Sequence, residues 1–246
     1  MTGQPKSGRA DLALVARGLF DSRAKAQAAI EAGGVTCDGR PVTRASQPIA
    51  EGARVEARPA HPWVSRGGVK LAAALDAFGL DPAGAIALDV GASTGGFTQV
   101  LLARGAARVH AIDVGRGQLH PDLAADARVV AREATDARAL TATDFPASPD
   151  FATFDVSFIS LALVLPHALA LMAPRAAAVA LVKPQFEAGR AALDKGLVRD
   201  PAAREAAAAK VEALFDGLGW RRVGRIASPI AGGDGNLEWL VGARRG

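Results

Sequence analysis

Apolar and polar positions along this chain follow two regimes. In the first sixty residues, helical spacing appears twice, over Asp11 to Gly18 and Ser22 to Glu31, with Ser22 placed to cap the second helix and Gly33-Gly34 to stop it. "VTCDGRPV" then sets β-favouring residues on either side of Asp38-Gly39, which predicts a two-residue hairpin, and "ARVEA" adds a short strand. From Val69 onward helical and strand patterns alternate. "VKLAAALDAFGL", "FTQVLLARG" and "LALVLPHALALM" predict helices, while "AIALDVGA", "RVHAIDVG", "RVVAREAT", "FATFDVSF" and "AAAVALVK" predict strands. "DPAAREAAAAKVEALFDGLG" predicts a long helix with Asp200 as N-cap, Pro201 in its first position and Gly217 or Gly219 at its end. "RRVGRIASPI" and "NLEWLVGAR" complete the pattern as paired strands at the sheet edge.

Strands alternating with helices predict an α/β fold with a doubly wound, mostly parallel sheet of the Rossmann-like kind, preceded by a small α+β module. "ARPAHPWVSRGG" carries neither period, and Pro59 and Pro62 restrict it, so the expected plan is a module over 1–58, a linker over 59–65 and the sheet domain over 66–246. Trp63 fits either a linker or a plug between domains.

Composition narrows the classes. The apolar stretches Leu161 to Ala173 and Ala176 to Val182 are broken by Pro166, Pro174 and Arg175, and neither reaches the ~20 residues of a bilayer span. Met1 to Arg9 is polar and lacks the apolar stretch of a signal peptide, so the expected location is the cytoplasm. Cys37 is the only cysteine, and no two of His61, His110, His120 and His167 sit at ligand spacing, so no disulfide and no metal are expected. The net charge of +4 is concentrated early: residues 1–60 hold nine Lys or Arg against six Asp or Glu, the remainder twenty against nineteen. Arg9, Arg17, Arg23, Lys25, Arg40 and Arg44 are compatible with a small basic binding module, although charge alone favours a solvated surface.

The glycine-rich turn in "LDVGASTGGFTQVLLARG" follows the first predicted strand of the larger domain, and ligands of doubly wound sheets sit at such strand ends. Gly91, Gly95 and Gly96 are spaced G-x-x-x-G-G, which is neither the dinucleotide motif nor a P-loop, so NAD and ATP are disfavoured. Asp89 precedes the turn and Asp113 ends the next strand, where a carboxylate can accept hydrogen bonds from a ribose. A carboxylate suits a ligand bearing an ammonium and a sulfonium and repels a phosphate. This arrangement resembles the S-adenosylmethionine site of class I methyltransferases, and the likeness implies contacts from Asp89, Gly91, Ala92, Ser93, Thr94, Gly95, Gly96, Phe97, Asp113 and Asp136.

"RADLALVARGLFDSRAKAQAAIEAGGVTCDGRPV" resembles the S4-like RNA-binding domain, with Ala10 where a larger apolar residue is more usual. That likeness implies structured RNA as partner and Arg9, Arg23, Lys25, Arg40 and Arg66 as its contacts. Lys70, Asp155, Lys183 and Glu238 resemble, as a set, the Lys-Asp-Lys-Glu tetrad of FtsJ-like ribose 2'-O-methyltransferases. The wider series "VSRGGVKL", "LDVGASTGGFT", "DVGRGQLH", "DVSFISL", "LVKPQFEAGR", "GLVRDP" and "SPIAGGDGNLEWL" is similar in order and spacing to the TlyA family.

The resemblance implies S-adenosylmethionine-dependent 2'-O-methylation of cytidine in ribosomal RNA of the small subunit, the large subunit or both, on ribosomal subunits. A ribose hydroxyl is a poor nucleophile at neutral pH, so a base must take its proton, and Lys183 is the candidate. A second cation, Lys70, and partial burial favour an uncharged Lys183; Asp155 and Glu238 would orient the two lysines while opposing that effect. Two positions depart from the family pattern: Asp136 stands where Asn is frequent, and Gln99 where Asp is common. An aspartate there accepts from an adenine amino group but cannot donate. Two other functions compete. The family also carries a haemolysin label, a membrane-active role that nothing in the apolar pattern supports. A non-catalytic RNA-binding assembly factor is the other, and the complete tetrad and intact glycine turn argue against it.

Overall fold

A computed structural model describes residues 7–246, and the chain divides into two compact units, up to Pro62 and from Trp63. The first unit runs β1 (Ser7–Arg9), α1 (Ala10–Ala16), α2 (Arg23–Glu31), β2 (Val35–Cys37), β3 (Arg40–Pro41), β4 (Pro48–Ala50) and β5 (Val55–Ala57). Ser22 caps α2 by accepting a hydrogen bond from the Lys25 amide at 3.3 Å. Asp38 and Gly39 both take positive φ, 48° and 75°, the pair of left-handed conformations that a tight β2–β3 hairpin needs. β5 pairs with β2, and β1 pairs with β4 in a separate two-stranded ribbon that the hydrophobic pattern does not predict. Ala10, Leu14, Phe20, Ala26, Ile30, Val35, Val42 and Ile49 form the core of this unit, and Ala10 is fully buried within it.

The second unit contains α3 (Gly67–Phe78), β6 (Ile86–Val90), α4 (Gly96–Ala103), β7 (Arg108–Ile112), α5 (Pro121–Ala124), β8 (Val129–Arg132), β9 (Phe151–Phe154), α6 (Leu161–Ala170), β10 (Ala176–Val182), α7 (Pro184–Glu187), α8 (Pro201–Gly217), β11 (Arg221–Ala227) and β12 (Trp239–Arg245). Its seven-stranded sheet has the order β11-β12-β10-β9-β6-β7-β8. Five strands are parallel; β12 runs antiparallel between β10 and β11, so only β11 of the predicted edge pair lies at the edge. The strand order reverses between β6 and β9, and the loops leaving the carboxyl ends of those two strands form a crevice.

Two apolar clusters fill the faces of the sheet. Leu71, Leu75, Phe97, Leu101 and Val109 pack α3 and α4 on one side; Leu88, Phe154, Leu165, Val211 and Phe215 pack α6 and α8 on the other. Residues 63–65, read from sequence as the end of a linker, belong to this unit. The Val64 amide donates to the side-chain oxygen of Gln99 on α4 at 2.6 Å, and the Trp63 side chain lies against Gly68, where a Cβ would come within 2.4 Å of it. Gln99 thus ties the entrance of α3 to α4.

Candidate active site

Two cavities meet at the strand-end crevice. One, about 440 Å³, is lined by Asp113, Val114, Gln118, Asp136, Val156 and Ile159 among others; the second, about 370 Å³, by Arg66, Lys70, Phe97, Lys183, Gln185 and Glu238 among others. Gly91, Ser93, Asp155, Ser157 and Phe158 line both.

The first cavity combines an apolar wall with a strand-end carboxylate. Asp113 accepts from the Ser93 amide at 2.8 Å and the Gly115 amide at 2.6 Å, so its own loop holds it at the rim. Val114, 73% exposed, leaves an uncovered apolar surface beside it. That combination fits a nucleoside, with its base against Val114, Val156 and Ile159 and its ribose on Asp113. Asp136 is also present, but both of its carboxylate oxygens accept from the Arg138 guanidinium, at 2.6–3.1 Å. This pairing and the Arg138 amide hold the acid down to about 2, so at neutral pH it is a charged acceptor already bound to a cation.

The glycines of the turn pack closely against the protein itself. At Gly91, φ 85°, a Cβ would come within 2.5 Å of the Asp155 carbonyl oxygen; at Gly95, φ 95°, within 2.2 Å of Leu123; at Gly96, within 2.2 Å of Ser65. Ala92, Thr94, Gly96 and Phe97 line the second cavity, whereas Gly95 and Asp89 line neither cavity among the described residues.

Asp89 is fully buried, its carboxylate accepting from Thr98 Oγ1 at 2.7 Å and Thr153 Oγ1 at 2.8 Å. The position expected to face a cationic ligand is therefore closed inside the sheet, because its strand direction points it at α4 and β9. Burial pushes Asp89 up to about 6, the hydroxyls of Thr98 and Thr153 opposing and the charge of Asp155 adding. A raised acid contributes stability that is complete below about pH 4 and is lost as pH rises through about 6. Relative to the native chain, Asp89→Asn should therefore gain on the order of 3 kcal/mol of stability between pH 4 and pH 7. Urea unfolding of both proteins at the two pH values checks this, and a constant difference would refute it.

The tetrad residues come from four separate segments and assemble at the second cavity. Lys70, in the first turn of α3, and Glu238, just before β12, form a buried ion pair. Lys183 directly follows β10, with its Nζ 2.7 Å from Asp155 Oδ1 and donating to Ser157 Oγ at 2.7 Å. The Lys183–Asp155 contact is one of charge rather than of good hydrogen-bond alignment: Asp155 Oδ1 is buried and accepts no hydrogen bond. Ser157 and Phe158 are site residues that the sequence reading passed over, although both lie inside "DVSFISL". Phe158 takes φ 65°, a conformation costly for an aromatic residue, and is 92% exposed at the cavity mouth.

Of the basic residues proposed for RNA, Arg66 lines the second cavity. Arg9 and Arg23 both bind Asp11, which is fully buried and also accepts from Gln27 at 2.8 Å. These three donors hold Asp11 well below the usual carboxylate range. Lys25 donates to Asp21 at 2.8 Å, and Arg40 is exposed in the hairpin. Arg9 and Arg23 therefore build the first unit as well as presenting charge.

The strand order, the carboxylate ending β7 and the ligand crevice above β6 define a class I methyltransferase. Residues 63–245 match the FtsJ-like methyltransferase family, and residues 8–55 match the S4 domain. The 16S/23S rRNA (cytidine-2'-O)-methyltransferase TlyA of Mycobacterium tuberculosis is 44% identical over 97% of this chain and 90% of its own. Hemolysin A of Brachyspira hyodysenteriae is 38% identical over 95% of this chain and 98% of its own. A solved structure from Streptococcus thermophilus that carries a provisional hemolysin name is 39% identical, with a TM-score of 0.76, covering 98% of this chain and 89% of that one. The chain belongs to the TlyA family, FtsJ-like methyltransferases with an N-terminal S4 domain.

Proposed function

We propose that this protein transfers the methyl group of S-adenosylmethionine to the ribose 2'-hydroxyl of a cytidine in ribosomal RNA. The observation that carries this reading is the junction of two cavities at Asp155 and Ser157, one with an apolar wall and the Asp113 carboxylate, the other with the two lysine–carboxylate pairs. The rRNA activity named for the M. tuberculosis relative supports the choice of acceptor.

S-adenosylmethionine, when bound, supplies an electrophilic methyl group. Asp113 would accept hydrogen bonds from its ribose hydroxyls, and Val114, Val156 and Ile159 would enclose the base. In the second cavity Lys183 takes the 2'-hydroxyl proton. In its uncharged form Nζ has a lone pair, the site that can take the substrate proton, while one of its N–H bonds donates to Ser157 Oγ. Lys70, fixed by Glu238, offers positive charge to the oxygen as it loses its proton. Holding nucleophile and methyl carbon in line supplies much of the acceleration, since methyl transfer depends on orientation.

Incubating the protein with labelled-methyl S-adenosylmethionine and isolated small or large ribosomal subunits tests the acceptor. Protein-dependent label in the RNA of one or both particles is expected; RNA binding without label would leave a non-catalytic binding factor. The hemolysin name of the relatives points to a second reading, but among the described residues no helix is long and apolar enough to cross a membrane.

RNA affinity should depend on the exposed cations of the first unit. Arg40→Gln combined with Arg44→Gln is expected to weaken binding and to reduce the slope of log K against log salt by about 2, one unit for each phosphate no longer neutralised. Filter binding over a salt series measures it, and an unchanged slope would remove these arginines from the RNA interface.

A further inference from the structure

We propose that Glu187 is a positioning residue for methyl transfer: a buried carboxylate that locks the turn carrying Lys183 to the loop carrying Asp155. The proposal rests on the methyl-transfer reading above. Glu187 closes α7, the single turn that begins directly after Lys183, and its side chain is only 2% exposed. Oε1 accepts from the Leu161 amide at 2.7 Å; Oε2 accepts from Ser160 Oγ at 2.6 Å and from Lys210 Nζ on α8 at 3.0 Å. Ser160 and Leu161 end the loop that starts at Asp155 and begin α6. One carboxylate thus joins three segments: the turn after β10, the loop after β9, and α8.

A helix start can be capped from its own flanking sequence, and Ser160 does so here by accepting from the Ala162 amide at 3.2 Å. The bond from Glu187 to Leu161 comes instead from 26 residues downstream. Keeping a carboxylate this deeply buried is costly unless it is paired, and its partners are spent on fixing two loops to each other. Phe158 and Phe186, one from each of these segments, add a ring contact at 5.4 Å between centroids.

The chemistry explains why such a tie is needed. Lys183 is held to Asp155 by charge, with poor hydrogen-bond alignment. That attraction vanishes when Lys183 is uncharged, which is the state in which it accepts the proton of the 2'-hydroxyl. The Glu187 bonds do not involve the Lys183 ammonium, so they persist through the change. Backbone bonds carry the constraint back along the turn: the Phe186 amide donates to the Lys183 carbonyl at 2.9 Å, and the Ala188 amide to the Pro184 carbonyl at 2.9 Å.

The test compares the full-length protein with its Glu187→Ala and Glu187→Gln variants in two measurements. The first is kcat on ribosomal subunits with KM for S-adenosylmethionine; the second is the Lys183–Asp155 separation in crystals of each variant. Glu187→Ala should lower kcat about 100-fold, as a displacement of about 1 Å at the reacting group does, while leaving KM within about two-fold. Glu187→Gln, whose amide oxygen still accepts from Leu161, should regain most of that rate. In the crystal of Glu187→Ala, Lys183 should have moved out of ion-pair distance of Asp155.

A folded Glu187→Ala protein with native kcat, or with Lys183 still seated on Asp155, overturns the proposal. If Glu187→Ala does not fold, Glu187→Asp decides, because it keeps the charge and loses the reach; reduced kcat supports the tie and native kcat refutes it. Should the native protein transfer no methyl group at all, the functional reading fails, while the crystallographic separation still decides whether Glu187 positions Lys183.

Discussion

Replacing Lys183 by alanine should lower kcat by about 10²–10⁴-fold, the range that a positioned proton acceptor contributes, and leave RNA affinity within about two-fold of native. The expectation follows from position. Lys183 directly follows a parallel strand, faces the cavity beside Asp155 and Ser157, and is partly screened from water, which is a poor site for a long-range phosphate contact and a good one for a proton acceptor. Lys183→Arg should not rescue, because a guanidinium retains its proton under all working conditions. Single-turnover rates with saturating S-adenosylmethionine, measured beside RNA binding, separate the outcomes. If affinity fell as far as rate, Lys183 would be a phosphate ligand and the proton acceptor would lie elsewhere.

The second large effect is expected at Lys70 and Glu238. Both are buried, so removing one partner leaves the charge of the other poorly solvated. Glu238→Ala leaves an uncompensated ammonium inside the domain and should destabilise it by about 3–5 kcal/mol, with loss of activity. Lys70→Met combined with Glu238→Leu removes both charges and should recover most of that stability, since a buried ion pair replaced by apolar groups is often neutral or better. Activity should not return with it. Denaturant unfolding and methyl transfer on the same preparations test this directly. Recovery of activity in the double variant would make the pair structural only, and no destabilisation in Glu238→Ala would mean that Lys70 finds another partner.

Fold and site were legible in the sequence to different depths, for physical reasons. The central strands of the larger unit, such as β9 and β10, announce themselves because parallel strands buried on both faces are nearly continuous apolar runs, and α8 because Asp200, Pro201 and Gly219 mark its ends. The β1–β4 ribbon has three residues on each side, too few for a period to show. Strand ends were equally hard: "FATFDVSF" reads as one strand to Phe158, yet β9 stops at Phe154, and the turn that follows aims Asp155 and Ser157 at the cavities.

Site membership was legible where a charge interrupts an apolar run, as at Asp155 and Lys183, because an unpaired buried charge is too costly to be accidental. Pairing was not legible, since it depends on which strands are neighbours: Lys70 meets Glu238 from 168 positions away. Direction was not legible either. Asp89 has the same motif position as a ligand-facing carboxylate, but the pleat turns it toward Thr98 and Thr153. The glycine turn showed that close approach occurs without showing to what, and Leu123, Ser65 and the Asp155 backbone supply the answer.

On this mechanism the methyl group goes to a ribose oxygen. The most direct test recovers RNA from subunits treated with the protein and labelled-methyl S-adenosylmethionine, then hydrolyses it in alkali. Methylation of a 2'-hydroxyl removes the nucleophile that alkali needs to cleave the adjoining phosphodiester. Label retained in an alkali-resistant dinucleotide with cytidine on its 5' side is the predicted result. Label released in single nucleotides would place the methyl group on a base and rule out transfer to the ribose.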